Sequence, residues 1–437
     1  MNSTKHRRVC LSTFVLVSTH PATAAAPPGL SRARGVALHL AALFGAGLLV
    51  MPSLTYQAAG PASLLAWAGL LALSVPVALT FAELGAQLPD AGGLSTAVTR
   101  AFGPRAGALC GFWFVLAVPI GAPAAALVGG AYVARAAGLP TAAGGICALA
   151  LLGAALASTL TGVRVAGSIQ LVLIGVLVAV LLVASLGAAP AATSAHLTPF
   201  APHGAGGVMA ALGILFFSFA GWEAVAPLAQ DFADPERDVR AVTRVTLALV
   251  AGTYLLLALA SILVLGPALD HGATPVQQLL EVRFGAWSGT VTGGLAAVLT
   301  YGAMTSYLTG AARMASALAR DAWLPAPLAA GHASGNTPRR AAVTIGVAAI
   351  AVLLTTVVMD LDLGRLLALG SAMFLAVTMA GLAAGGRLLR TRPGRRRAVG
   401  AALVMGAVLV GTGWAAIYPL VVAACVLGIR SRRKEMA

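Results

Sequence analysis

Glu223 is the residue whose position most needs a chemical reason, because it follows Ser218-Phe219-Ala220-Gly221-Trp222 inside a long apolar run. A carboxylate placed within hydrocarbon costs about 2.5 to 3.5 kcal/mol on insertion scales, so it must face a polar interior, where it can carry a proton. Far upstream, Gly45-Ala46-Gly47 followed by Pro52 puts flexible residues and a missing amide into another apolar run. Both features weaken the ladder of backbone hydrogen bonds. A helix opened at either place frees amides that suit a carboxylate and carbonyls that suit an ammonium. Together they fit a free amino acid and leave its side-chain preference open. Glycines in membrane helices are also common packing contacts, and this chain has 51 of them. For Gly45 and Gly47 alone the two readings balance; the second break, near Gly221, favours a site.

Composition defines the segments on which these residues sit. A chain of 437 residues that is 59% hydrophobic and only 9% charged needs a bilayer as part of its solvent. Apolar runs near the length of a membrane crossing recur at 36–58, 62–87, 106–134, 142–160, 167–189, 206–230, 242–266, 286–312, 341–359, 365–386, 398–412 and 414–429. They are continuously apolar, unlike the alternating strands of a barrel, and helices satisfy every backbone group in lipid. The last two are short for a crossing, which leaves tilted helices, misplaced bounds or a re-entrant hairpin.

With the N-terminus in the cytoplasm, the alternation leaves only Arg135, Arg283 and Arg365 of the 28 Lys and Arg on the outer side. That asymmetry predicts an inner-membrane protein with both termini cytoplasmic. The net charge of +15 then reads as topology and as contact with anionic lipid headgroups. Nucleic-acid binding is excluded as a main function, since no soluble region gathers the basic residues. Residues 1–34 read as a cytoplasmic extension, although Lys5, Arg7 and Arg8 ahead of Val9–Val17 imitate a signal peptide. Residues 35–390 read as a ten-helix transport core, and 391–437 as a C-terminal helix pair with a basic tail.

The broken runs are the first and the sixth, the same position in two successive five-helix units. An odd number of helices inverts the second unit, which is the pattern of an inverted-repeat transporter with paired broken helices at the midplane. Cys10, Cys110, Cys147 and Cys425 lack metal-ligand spacing, and no His, Asp or Glu constellation suggests a metal, a cofactor or an enzyme. His39 reads as an interfacial residue.

At these residues the chain resembles the amino acid–polyamine–organocation superfamily. The resemblance rests on Gly45-Ala46-Gly47-Leu48-Leu49-Val50-Met51-Pro52 with Ala59-Gly60-Pro61, on Phe81-Ala82-Glu83-Leu84-Gly85 through Pro89-Asp90-Ala91-Gly92-Gly93, on Phe216–Glu223, and on Asp234-Pro235-Glu236-Arg237-Asp238. Val118-Pro119-Ile120-Gly121-Ala122-Pro123 and Leu361-Asp362-Leu363 are similar to the bacterial subfamily that exports methionine and branched-chain amino acids. Trp222 is bulkier than the aliphatic residue expected there, and Ala46 replaces a small hydroxyl residue.

The resemblance implies an all-α, LeuT-like bundle of about twelve helices. It implies that Gly45, Ala46 and Gly47 cradle the substrate carboxylate, that Ser218, Phe219, Ala220 and Gly221 meet its ammonium, and that Phe217 is an aromatic gate. Phe217, Phe219 and Trp222 are expected to line an apolar side-chain pocket. Glu83 is expected to be a structural charge beside Arg100 and Arg105. Thr305 and Ser306 could ligate sodium with the first helix, but membrane-helix hydroxyls usually bond their own backbone. The fifth run has no lysine to replace sodium, so proton coupling through Glu223 is the preferred expectation. The expected function is export of apolar amino acids, with import, exchange of other substrates, or sensing on the same fold as alternatives.

Overall fold

The computed structural model describes residues 30–88, 93–161, 167–224, 229–270, 274–285, 287–329 and 337–435. Cys10, Arg164 and the Pro89-Asp90-Ala91-Gly92 portion of the second motif lie outside the described residues. Among those residues every regular element is helical, as hydrocarbon requires.

The helices run in order α1 (Arg32–Leu43), α2 (Met51–Ala59), α3 (Ser63–Gln87), α4 (Gly93–Phe102), α5 (Pro104–Ala136), α6 (Ala143–Thr161), α7 (Gly167–Ala188) and α8 (Gly204–Leu215). They continue with α9 (Pro235–Ala260), α10 (Pro275–Phe284), α11 (Ser288–Arg320), α12 (Arg339–Val358), α13 (Leu363–Leu388), α14 (Arg392–Gly411) and α15 (Ile417–Glu435). Side chains such as Ile146, Val172, Val358, Leu403 and Val410 point outward, an apolar exterior suited to lipid.

Among the described residues seven helical stretches are long and apolar enough to cross a bilayer, and α14 with α15 makes an eighth as one bent pair. The twelve crossings read from the sequence are therefore not all present as single long helices. The physical reason is local: α1 and α8 are short halves beside breaks, and α11 has the length but dilutes its hydropathy with Thr292, Thr300, Thr305 and Ser306. The final pair bears out misplaced bounds among the readings of the last two runs. These helices are 20 and 19 residues long, because helix extends back through Arg392–Arg397 and on to Glu435, and the chain bends by 118° at the Gly413–Ala416 turn.

Helix α1 begins at Arg32, inside the segment expected to be an extension, with Ser31 as its N-cap. Its foot is tied to α9 by an Arg32–Asp238 ion pair at 2.7 Å. Asp234 caps α9 and Asp362 caps α13, each carboxylate accepting a backbone amide three residues on. Glu83 is not paired with Arg100 or Arg105: its carboxylate lies 2.9 Å from Arg397 and so ties α3 to α14. Arg135, at the far end of α5, pairs with Glu281 of α10 at 2.9 Å. Prolines 119 and 123 sit within α5 without ending it, as membrane helices allow when neighbouring groups cover the freed carbonyls.

Candidate functional site

The first break opens where α1 runs out. Phe44 N–H closes the last turn on the Leu40 carbonyl at 2.7 Å, and Gly45 is then fully extended, with φ −84° and ψ 175°. Ala46–Leu49 re-coil as a 3₁₀ turn, and α2 begins at Met51. Pro52 falls in the first turn of α2, where no amide donor is needed, so it starts the second half rather than breaking the first.

The second break is less regular. After α8, Phe216–Ser218 form a 3₁₀ turn, and the amides of Phe219 and Ala220 both reach back to the Phe216 carbonyl, at 2.8 and 3.0 Å. Gly221 has φ +129°, and a Cβ there would stand 2.6 Å from the Ala42 carbonyl oxygen. Backbone conformation and space both demand glycine at this position. Beyond it Trp222–Ala224 and Ala229–Asp231 are short 3₁₀ turns, and residues 225–228 of the run expected at 206–230 lie outside the described residues.

Two tyrosines that sequence reasoning missed satisfy the carbonyls these breaks set free. Tyr254 of α9 places its hydroxyl 2.9 Å from both the Leu43 and the Ser218 carbonyl oxygens, so one hydrogen is shared between the two breaks. Tyr132 of α5 donates to the Leu49 carbonyl at 2.8 Å and accepts from the Val276 amide of α10 at 3.3 Å. Both rings are completely buried. The available signal was the tyrosine itself, since a buried phenol in an apolar helix must find a partner.

The structure brings together Gly47, Phe217 and Ser218. A Cβ on Gly47 would lie 2.8 Å from the Phe217 ring and 3.0 Å from Ser218 Oγ, so the two unwound segments touch. Ser218 Oγ is buried and has no hydrogen-bond partner among the described residues. A Cβ on Gly45 would meet nothing within 4 Å: open space lies on that side. Ala46 is in the 3₁₀ turn between these glycines and α2, and Ala220 is buried.

Phe219 and Trp222 are packed elsewhere. Phe219 stacks edge-on against Tyr254 and Trp67, with ring centroids 5.1 and 6.4 Å apart. Trp222 donates its indole N–H to Ser74 Oγ at 3.1 Å and meets His39 edge-on at 5.3 Å. Both rings are buried among α1, α3 and α9, behind the break. His39 is fully buried against Trp222, which corrects its reading as an interfacial residue.

Glu223 folds back so that Oε2 accepts the Gly221 amide at 3.0 Å. The Thr305 and Ser306 hydroxyls bond the carbonyls of Tyr301 and Gly302, one turn back along α11. Among the described residues no cluster of His, Cys, Asp and Glu has metal-binding geometry.

Two broken helices meeting in a bundle, with spare polar groups at the contact, define a membrane-transport architecture. The profile of the amino acid permease family matches residues 30–432. The chain belongs to that family, within the amino acid–polyamine–organocation superfamily, and is a multi-pass membrane protein. It is 32% identical to the uncharacterized amino acid permease YecA of Bacillus subtilis over 90% of this chain and 92% of the relative. It is 29% identical to the L-methionine/branched-chain amino acid exporter YjeH of Escherichia coli over 93% and 96%. The gamma-aminobutyric acid permease of Escherichia coli is 33% identical over 48% of each chain. These relatives are named permeases and transporters, not enzymes.

Proposed function

We propose that this protein is a secondary active transporter that exports apolar amino acids, methionine, leucine, isoleucine and valine among them, in exchange for protons. The observation that carries the reading is the match to the methionine and branched-chain exporter along nearly the whole of both chains, whereas the gamma-aminobutyric acid permease matches over about half. The surroundings of Phe217 support it, since Gly47, Gly121, Gly370 and Phe374 offer no charge to a substrate side chain.

In this reading the substrate's polar end sits where the two breaks touch. Gly45, Ala46 and Gly47 supply backbone amides to the carboxylate, and the Ser218–Gly221 turn supplies oxygens to the ammonium. Phe217 covers the site. Phe219 and Trp222, packed behind the break, hold its shape. Glu223 carries the exchanged proton: its carboxylate holds the Gly221 amide, so gain of a proton alters the hydrogen bond that shapes the second break. Both termini are cytoplasmic, and residues 35–390 form the transport core.

The test is efflux of labelled methionine from proteoliposomes. Leucine, isoleucine and valine should compete, arginine and glutamate should not, and a proton gradient directed opposite to the efflux should accelerate it. Strong competition by arginine would overturn the apolar specificity. Efflux indifferent to the gradient would overturn proton exchange.

A further inference from the structure

Helix α9 changes character along one face. Arg237, Arg240 and Arg244, spaced so as to share that face, are followed on it by Ala248, Gly252 and Leu255, all exposed. The charge ends at Arg244. From there to Leu255 the helix rises about 16 Å, close to half of a hydrocarbon core about 30 Å thick. Val245 and Leu249 stand exposed beside the small residues, so the face is an apolar track with arginines at its foot.

At that foot a cavity of about 500 Å³ opens between α1 and α9, lined by Arg32, Arg237, Arg240 and Arg244 together with Asp234 and Glu236. Two nearby aspartates are already engaged. Asp234 accepts the Arg237 amide as the cap of α9, and Asp238 holds Nε of Arg32 at 2.7 Å. The side chains of Arg237, Arg240 and Arg244 form no ion pair or hydrogen bond with any described residue. Neighbours three and four apart on a helix have Cβ atoms about 5 to 6 Å from each other, so these like charges repel unless an anion lies between them. Glu236 is the one carboxylate of the lining left to oppose three guanidinium groups.

We propose that this cavity binds the phosphate of an anionic phospholipid, with an acyl chain laid along Ala248, Gly252 and Leu255. Guanidinium forks meet phosphate oxygens in pairs, which is why arginines suit this group. A soluble phosphate would satisfy the arginines equally but leave the apolar track bare, so the track is what selects a lipid. Diffuse attraction of basic residues to an anionic leaflet needs no particular positions. This site does, because its arginines come from two helices around one cavity. Arg32 belongs to α1, the half-helix before the first break, so a lipid seated here joins that half-helix to α9 and reinforces the Arg32–Asp238 tie.

The experiment follows thermal unfolding of the full chain in a neutral detergent as phosphatidylglycerol, phosphatidylcholine or inorganic phosphate is added. Phosphatidylglycerol alone should raise the midpoint, and saturably. Each arginine near an anionic surface accounts for about a fivefold change in affinity, so Arg237→Gln/Arg240→Gln/Arg244→Gln should bind phosphatidylglycerol about 100-fold more weakly. Arg390→Gln/Arg392→Gln/Arg396→Gln removes the same charge around the start of α14 and should bind as wild type does. Equal weakening in the two triple variants would reduce the effect to diffuse attraction and overturn the site, as would equal protection by phosphatidylcholine or no protection by any lipid. Inorganic phosphate protecting as well as the lipid would overturn the lipid in favour of a soluble anion. If the first triple variant does not fold, Arg240→Gln alone decides: about a fivefold loss supports the site, and unchanged affinity overturns it.

Discussion

The two breaks look alike in sequence, each a small-residue stretch inside an apolar run, yet they are built differently. The first is a short gap between two real helices. It opens with one extended residue, Gly45, that any amino acid could replace conformationally, and it closes on an ordinary helix start at Met51 and Pro52. Separate tyrosines anchor its two ends, Tyr254 at Leu43 and Tyr132 at Leu49. The second turns on Gly221, which no other residue can replace without strain. Its anchors are the shared hydroxyl of Tyr254, the Trp222–Ser74 hydrogen bond and the carboxylate of Glu223. One break is thus held at its two ends by separate tyrosines, and the other turns on a glycine and is held by three side-chain hydrogen bonds.

The contrast is sharpest at the glycines. Gly221→Ala adds a methyl beside the Ala42 carbonyl in a backbone conformation closed to alanine, so it should abolish the yield of monodisperse protein in detergent. Gly45→Ala, the same chemical change in the other break, should give wild-type yield. Equal yields from the two variants would remove the asymmetry.

A smaller effect is expected from the shared anchor. Tyr254→Phe keeps the aromatic contacts with Phe44, Trp67 and Phe219 but removes the donor shared by the Ser218 carbonyl and the Leu43 carbonyl, which keeps only the Gly45 amide at 3.0 Å. Interhelical hydrogen bonds in membranes contribute roughly 0.6 to 2 kcal/mol, and thermal unfolding in detergent should fall accordingly. An unchanged melting temperature would show that the two breaks do not depend on this hydroxyl.

Glu223→Gln should disturb stability least and function most selectively. The amide oxygen of glutamine can still accept the Gly221 N–H, so the turn is kept while the titratable group is lost. Methionine flux measured from about pH 5.5 to pH 8 should lose its pH dependence, with net flux falling more than exchange. Parallel profiles for variant and wild type would reduce Glu223 to a fixed strut for the second break.

Much of this architecture was legible in the residues themselves. Continuous apolar runs dictate helices because hydrocarbon leaves the backbone no other partner, and Gly45–Gly47 and Gly221 located both breaks. Glu223, as a carboxylate inside a span, had to find a polar partner, and it accepts the Gly221 amide. The last two runs were short because their bounds were misplaced: arginines that look like loop by hydropathy continue α14 as helix.

Local composition and period were thus enough to dictate a helical membrane protein, the positions where its helices fail, and the family it resembles. Which groups meet was settled by tertiary packing. It moved Glu83 from Arg100 and Arg105 to Arg397, took Phe219 and Trp222 behind the break, buried His39, and brought Tyr132 and Tyr254 to the freed carbonyls. It also gathered Gly47, Gly121 and Gly370 around one ring. The reason is that each of these contacts joins residues distant in sequence. No local pattern encodes which side of a buried helix faces which neighbour; close packing of the whole bundle selects it.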